Sequence, residues 1–387
     1  MKSGHKWKIG IIGTGFIGSG LKRRIESMPD MEVACILTQR PRQDFSNEEL
    51  YTNSVHELID KSELVVECNG NPIYATEILC QVMDADIPVV TMDAELHITS
   101  GSYLSTRGLI TEGEGDQPGA LAAFKQKVES IGFKPLVYGN LKGFLNHNPT
   151  QEEMVYWAEV QGITIKEVTG ATDGTKVQVE QAFVANGLGA AIAKQGMFGF
   201  EIEDIEEGSK KLASYAKETQ QPISDYLLRS PKMKGKFPKA VFITAEYDSR
   251  EASALRYLNL GEGPYYTLIN NYYLCYLETP ITIRKVLLEK DILLENGANP
   301  TASVCAIAKQ ELLPGTALKW MNRFIYVRGE ALAIKDHPNH VPIGLMNDAV
   351  IKRKVEPGQI LEFDDVEIPG SKAYQGWLYT RELAKAK

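Results

Sequence analysis

The stretch Lys8-Ile-Gly-Ile-Ile-Gly-Thr-Gly-Phe-Ile-Gly18 decides the fold. Its first half, Lys8–Ile12, is a short continuous apolar run, as a strand buried on both faces should be. It passes straight into Gly13-Thr-Gly-Phe-Ile-Gly18, after which Ile17, Leu21 and Ile25 recur at helical spacing. A Gly-x-Gly-x-x-Gly pattern alone is weak evidence; a strand before it and a helix after it supply the context it requires. In this reading Gly13 makes the tight turn, Gly15 admits a pyrophosphate and Gly18 lets helix and strand pack closely. Thr14, Phe16 and Ile17 complete the loop, where unpaired amides at the helix N-terminus meet the phosphates. The basic residues and short apolar run of the N-terminus therefore read as a lead-in to a buried strand, not as a signal peptide.

The next strand, Glu32-Val-Ala-Cys-Ile-Leu37, ends in Thr38-Gln39-Arg40. A site for NAD usually carries an acid here, because a carboxylate accepts from the ribose 2′-hydroxyl. The hydroxyl of Thr38 and the guanidinium of Arg40 suit a 2′-phosphate instead, so the expected cofactor is NADP(H). Two further strands follow: Leu64–Cys68, ending in Asn69-Gly-Asn-Pro72, and Pro88–Met92, ending in Asp93-Ala-Glu95. Helical segments lie between them, which predicts a parallel sheet with its ligand at the carboxyl ends of the strands. That places Asn69, Gly70 and Glu95 toward the nicotinamide, although Glu95 equally suits a helix cap. A further βαβ-like piece runs through Leu109–Asp116, a helix to Ser130 and Pro135-Leu-Val-Tyr138, extending this first domain over residues 1–145.

Bulk composition narrows the classes of function. At 387 residues the chain is too long for one ordinary core. A formal charge of -8 argues against a nucleic-acid grip, which needs a basic face to displace phosphate counterions. No apolar run approaches the ~20 residues of a membrane span. The five cysteines are scattered without CxxC spacing and read as free thiols in a reducing compartment, so the expected location is cytoplasmic.

Residues 146–298 mix helices and strands without a second phosphate loop and read as an α+β catalytic and oligomerisation domain. Their tyrosine-rich stretch suits a buried interface and predicts a homo-oligomer. Residues 299–387 hold a short internal repeat, Ala308-Lys-Gln-Glu-Leu-Leu-Pro-Gly-Thr-Ala-Leu318 against Ile351-Lys-Arg-Lys-Val-Glu-Pro-Gly-Gln-Ile-Leu361. Each Pro-Gly makes a turn between β-prone stretches, which predicts a small β-rich domain. His337-Pro-Asn-His340 lacks a neighbouring cysteine or carboxylate cluster and is not read as a metal site.

Several of these segments, in this order, resemble the homoserine dehydrogenase-like oxidoreductases that carry a C-terminal SAF domain. They are GTGFIG, VVECNGNP, EGEGDQP, GNLKGFLN, TDGTKVQVE, YLNLGEGPYY, LETP and the paired Pro-Gly repeats. The resemblance implies a three-part α/β protein: a Rossmann-type parallel sheet, an α+β catalytic domain and a SAF-like β-rich tail. It also implies relatives that act as 1-deoxy-D-xylulose 5-phosphate reductoisomerases with NADPH, making 2-C-methyl-D-erythritol 4-phosphate for isoprenoid biosynthesis, beside members acting on other carbohydrates. One departure is informative. Homoserine dehydrogenases place a catalytic lysine after an asparagine where this chain reads Thr91-Met-Asp-Ala-Glu95.

Reduction still needs a proton donor, and Lys142 and Lys176 are the candidates. Lys176 and Glu180 are four apart, so a helix begun after the Asp173-Gly174 turn puts them on one face. Asp173, Glu180 and an acid from Glu112–Asp116 offer oxygens for a divalent cation, Mg or Mn, which a reductoisomerase would use to hold two substrate oxygens. The leading expectation is an NADP(H)-dependent oxidoreductase, in its more specific form a reductoisomerase, for a small sugar phosphate or a related polyol or keto sugar. The alternatives are a simple dehydrogenase of homoserine or carbohydrate type, and a non-catalytic sugar-binding or sensor protein.

Overall fold

The computed structural model describes residues 5–320 and 322–385. Six strands form a parallel sheet: β1 (Trp7–Ile12), β2 (Met31–Leu37), β3 (Tyr51–Thr52), β4 (Leu64–Glu67), β5 (Val89–Thr91) and β6 (Ile110–Glu112). Their order, β3-β2-β1-β4-β5-β6, reverses direction between β1 and β4. Ligands of open α/β sheets bind in the crevice at such a switch point. The apolar run of β1 serves two layers at once. Ile9 and Ile11 pack with Leu21 and Ile25 on one face, while Ile12 joins Val65 and Leu79 on the other.

A second, mixed sheet holds β7 (Lys134–Lys142), β8 (Phe200–Ile202), β9 (Ile223–Arg229), β10 (Val241–Glu246) and β11 (Tyr265–Asn270) in the order β11-β10-β7-β9-β8. The sequence reading had placed Pro135–Tyr138 in the first sheet; it is instead the middle of this one. An apolar run announces a buried strand but not its sheet, and here two different layers bury it. Tyr138 packs under the helices Gln117–Ser130 and Thr175–Leu188, whereas Val137 and Leu141 pack against the helix Ile205–Glu218. After β11 the chain returns to the first sheet. Ile283 and Val286 of the helix Thr279–Glu289 join the Ile9–Ile11 layer, and the Glu112 amide donates to the Leu294 carbonyl.

In the tail, β12 (Ala302–Ala308) pairs antiparallel with β13 (Val327–Ala333), and β14 (Val350–Ile351) with β15 (Val366–Glu367). The two copies of the sequence repeat bond to each other reciprocally. Leu312 and Val355, at equivalent places in the repeat, exchange both backbone hydrogen bonds at 2.9 and 3.0 Å. Gly315 donates to Ile351 just as Gly358 donates to Ala308, which makes a local pseudo-twofold. Both glycines turn with positive φ, 87° and 82°, a conformation that disfavours any other residue. From this unit the helix Lys372–Lys385 crosses back to the first domain, where Gly376 packs so closely that a Cβ would lie 2.9 Å from Ser100 Cβ. Trp377 is buried there beside His340. Among the described residues no helix is long and apolar enough to cross a membrane.

Candidate active site

The phosphate loop is built as the glycine spacing requires. Gly13 has φ of 111°, and a Cβ on it would meet the Cys68 carbonyl oxygen at 2.9 Å. A Cβ on Gly18 would fall 2.2 Å from the Gly13 carbonyl oxygen, so only glycine lets the helix Phe16–Glu26 approach β1. Gly15 is the opposite case: a Cβ there would meet nothing within 4 Å. The space lies at the start of a helix with no side-chain cap and no acid in its first turn. Its amides are left for an anion, and the loop from Thr14 to Ile17 fits a dinucleotide pyrophosphate.

At the end of β2, Thr38 is buried and its hydroxyl accepts from the Arg40 amide at 3.1 Å. Asn53 donates to the carbonyls of Thr38 and Arg40 and shapes this loop. The guanidinium of Arg40 lies over the Phe45 ring and 3.7 Å from Asp44, largely in solvent.

The ends of β4, β5 and β6 carry buried acids. Glu67 accepts from the Asn69 amide at 2.6 Å and the Thr91 hydroxyl at 2.8 Å. Burial and neighbouring Asp93 push its carboxyl up to about 8. Asp93, pushed up to about 6 by burial and then by Glu95, caps the next turn by accepting from the Glu95 and Leu96 amides. The cap considered for Glu95 is thus Asp93, and Glu95 itself pairs with Arg323 of the tail. Glu112 is fully buried, with neither carboxylate oxygen hydrogen-bonded and His97 Nε2 3.5 Å away. Burial raises the acid and lowers the imidazole, to about 3, so both groups are neutral there.

Gly70, with φ of 75°, leaves open space where its Cβ would be, and its carbonyl accepts from Lys166 Nζ at 2.7 Å. Asn69 turns inward to accept from the Asn71 amide, and Asn71 caps the helix Pro72–Asp84.

Facing these strand ends is the helix Thr175–Leu188, entered through Gly174 at φ of 90°. Val177 to Ala185 are all buried, so its polar residues need partners within the protein. Gln181 donates to the Tyr138 and Asp225 carbonyls, and Gln178 to that of Gly196. Glu180, only 1% exposed, gathers three groups: Lys142 Nζ at 3.4 Å, Lys176 Nζ at 3.4 Å and the Asn140 amide at 3.0 Å. Asp116 lies 3.6 Å from Lys176 and does not cap the helix that follows it. The Lys176 side chain remains 46% exposed, so this end of the cluster reaches solvent. Asp116 first and Glu180 next hold the Lys176 ammonium well above its ordinary range; burial raises the Glu180 carboxyl in spite of its lysines.

The cluster adjoins the cofactor loop through Cys275-Tyr276. Cys275 donates its amide to the Gly115 carbonyl at 2.8 Å, next to Asp116. The Tyr276 ring closes over Gly20 and meets Phe16 edge-on at 5.7 Å, beside the phosphate loop.

Asp173 does not join the cluster. It is 1% exposed, forms a 2.5 Å ion pair with Lys309 and accepts from the Thr175 amide, fastening the turn to the tail. The cation site expected from Asp173, Glu180 and an acid of Glu112–Asp116 is therefore not assembled. Lysines occupy Asp173, Asp116 and Glu180, and among the described residues no three of His, Cys, Asp and Glu converge as metal ligands. The preformed carboxylate set does not fit a divalent ion.

Sequence reasoning missed Asn140, Lys166, Lys309 and Arg323. Alternation along β7 puts Asn140 and Lys142 on one face, a signal that was available. Nothing local marks the other three: only the tertiary fold brings Lys166 and Arg323 to the strand ends and Lys309 to Asp173.

A phosphate loop at a sheet's switch point, with two lysines and two carboxylates reached from it through Cys275-Tyr276, suits an oxidoreductase working with a nicotinamide cofactor. The family matches agree. Residues 13–107 match the family described as homoserine dehydrogenase, NAD binding domain, and residues 115–279 the one described as oxidoreductase DRL, catalytic domain. No curated protein matches the chain. Among solved structures, scyllo-inositol dehydrogenase from Lactobacillus casei with bound NAD(H) and scyllo-inositol is similar at 10% identity and a TM-score of 0.43, over 75% of this chain and 92% of that one. An NAD-binding protein from Listeria innocua is similar at 11% identity and a TM-score of 0.37, over 75% and 90%. Dihydrodipicolinate reductase from Paenisporosarcina sp. TG-14 is similar at 11% and 0.35, over 74% and 97%.

Proposed function

We propose that the protein is an NADP(H)-dependent oxidoreductase that interconverts a carbonyl and a hydroxyl on a small, anionic, sugar-derived substrate. The observation that carries this reading is the clasp of Lys142 and Lys176 on buried Glu180, linked to the phosphate loop by Cys275-Tyr276. Nicotinamide supplies or accepts the hydride when bound. Lys176, kept protonated by Asp116 and Glu180, donates a hydrogen bond to the substrate oxygen as negative charge develops on it. Lys142 and Glu180 pass the proton that the oxygen gains or loses, and Asn140 holds Glu180 in place. Arg40 and Thr38 select the 2′-phosphate at the far end of the cofactor.

A reductoisomerase would need, in addition, a Lewis acid on two adjacent substrate oxygens. The lysine-paired carboxylates favour hydride transfer without carbon migration. Following NADPH oxidation with deoxyxylulose phosphate and with a panel of keto and aldo sugar phosphates, each with and without Mg²⁺ or Mn²⁺, tests both forms. Turnover on deoxyxylulose phosphate only with metal would reinstate the reductoisomerase. No NADPH oxidation with any substrate would sink the catalytic reading and favour a sugar-binding protein. In this proposal the SAF-like tail closes the site through Trp320 and Arg323. The assembly is a homo-oligomer formed along edge strand β11, where Ile269 and nearby Tyr272 are exposed.

A further inference from the structure

The cations of the strand ends and of the helix Thr175–Leu188 and its flanks differ in one respect. Lys142, Lys176, Lys309 and Arg323 each meet a carboxylate. Lys166 has none: its hydrogen bond goes to the neutral carbonyl of Gly70 at 2.7 Å, and its Nζ stands 3.5 Å over the Trp320 ring. Among the described residues no carboxylate forms an ion pair with it. An ammonium has three donors, and one is used.

Lys166 comes from the helix Ile165–Thr172, yet its head reaches the end of β4, where sheets of this kind hold their ligand. The neighbouring Gly70 has open space on its Cβ side. Trp320 backs the ammonium and is also approached by Arg323, whose charge Glu95 takes up. Burial, the largest influence, lowers Lys166 to about 8; of the charged groups around it Arg323 acts in the same direction, while Glu95, Asp93 and Glu167 oppose it from beyond ion-pair distance. An anion arriving at Nζ would take the donors that the Gly70 carbonyl does not use.

We propose that Lys166, seated between the Gly70 carbonyl and the Trp320 ring, is the residue that binds the phosphate or carboxylate group of the substrate. The proposal rests on the oxidoreductase reading only for the identity of the cleft. A cation stacked on an aromatic face in a partly desolvated wall holds an anion more strongly than a lysine in bulk water. The tail would then contribute directly to specificity, since Trp320 belongs to it.

Two anions meet in such a cleft, that of the substrate and the diphosphate of the cofactor, and the test separates them. The full-length protein saturated with NADP⁺ is titrated calorimetrically with inorganic phosphate, in the wild type, Lys166→Met and Lys166→Arg. A separate titration of each with NADP⁺ follows, with thermal melting as the check on folding. The expected result is phosphate affinity at least about tenfold weaker in Lys166→Met, largely retained in Lys166→Arg, and NADP⁺ affinity unchanged in both. Phosphate binding equal in wild type and Lys166→Met, or absent from the wild type, overturns the proposal. So does a loss confined to NADP⁺, which would assign the ammonium to the cofactor. Binding is the readout, so a failure to find turnover would count against the proposed reaction and not against this residue.

Discussion

Glu180 and Lys176 stand one helical turn apart, 3.4 Å between charged atoms, with the carboxylate buried and the lysine side chain half exposed. An exposed pair at this spacing is worth only about 0.3–0.5 kcal/mol. Here the buried acid fixes the lysine's direction, and Lys142 and Asn140 still satisfy that acid if Lys176 is removed. Lys176→Met should therefore keep the fold and lower kcat by roughly 10²–10³. Steady-state kinetics beside a fluorescence titration of NADPH checks this. A variant with full activity would remove Lys176 from the chemistry.

The phosphate loop offers a paired test in which two similar substitutions fail differently. Gly18→Ala drives a methyl into the Gly13 carbonyl and should lower unfolding free energy by about 1–3 kcal/mol, read from urea denaturation. Gly15→Ala enters open space and should leave the urea midpoint in place while weakening cofactor binding on the order of tenfold. If Gly15→Ala binds cofactor normally, the pyrophosphate does not lie against that residue.

These two glycines also show how much of the fold was legible. The first sheet could be read because each of its devices is local: an apolar strand, a glycine turn and an amphipathic helix follow one another in sequence. The tail repeat was legible for the same reason, and the reciprocal Leu312–Val355 bonds are its three-dimensional form. Lys142, Lys176 and Glu180 could be singled out by charge and spacing, and the fold brings them together. Asp173 looked equivalent to Glu180 on paper, yet its direction is set by Lys309, 136 positions along the chain by subtraction of the two residue numbers. The membership of β7 in the second sheet was illegible because a buried strand looks the same in either sheet.

Arg40 should govern the choice of cofactor. A charge-assisted hydrogen bond contributes about 1.5–3 kcal/mol, so Arg40→Ser should lower NADPH affinity by roughly tenfold to a hundredfold. Affinity for NADH, which lacks the 2′-phosphate, should change little. Parallel titrations give the answer, and equal losses for both cofactors would contradict a role in 2′-phosphate recognition.

Buried Glu67 predicts a pH dependence of stability. Burial and Asp93 push its carboxyl up from an ordinary 4.5 to about 8, so between these pH values the folded chain binds the extra proton. Stability contributed by this group is present below pH 4.5 and lost as pH rises through 8. Asp93, raised from 3.8 to about 6, acts in the same direction. Glu67→Gln imitates the protonated acid, so its melting temperature should fall less than that of the wild type between about pH 5 and 8. Parallel curves would show that Glu67 is not the group responsible.

The central claim is that the Lys142–Glu180–Lys176 cleft performs hydride-coupled proton transfer on a small sugar-derived substrate with NADP(H). The most direct measurement is NADPH oxidation against the sugar phosphate panel, comparing wild type and Lys176→Met at matched cofactor occupancy. The account predicts metal-independent oxidation by the wild type with at least one substrate, nearly abolished in the variant while NADPH still binds. Wild-type and variant rates that coincide, or a wild type that binds NADPH and never oxidises it, would contradict it.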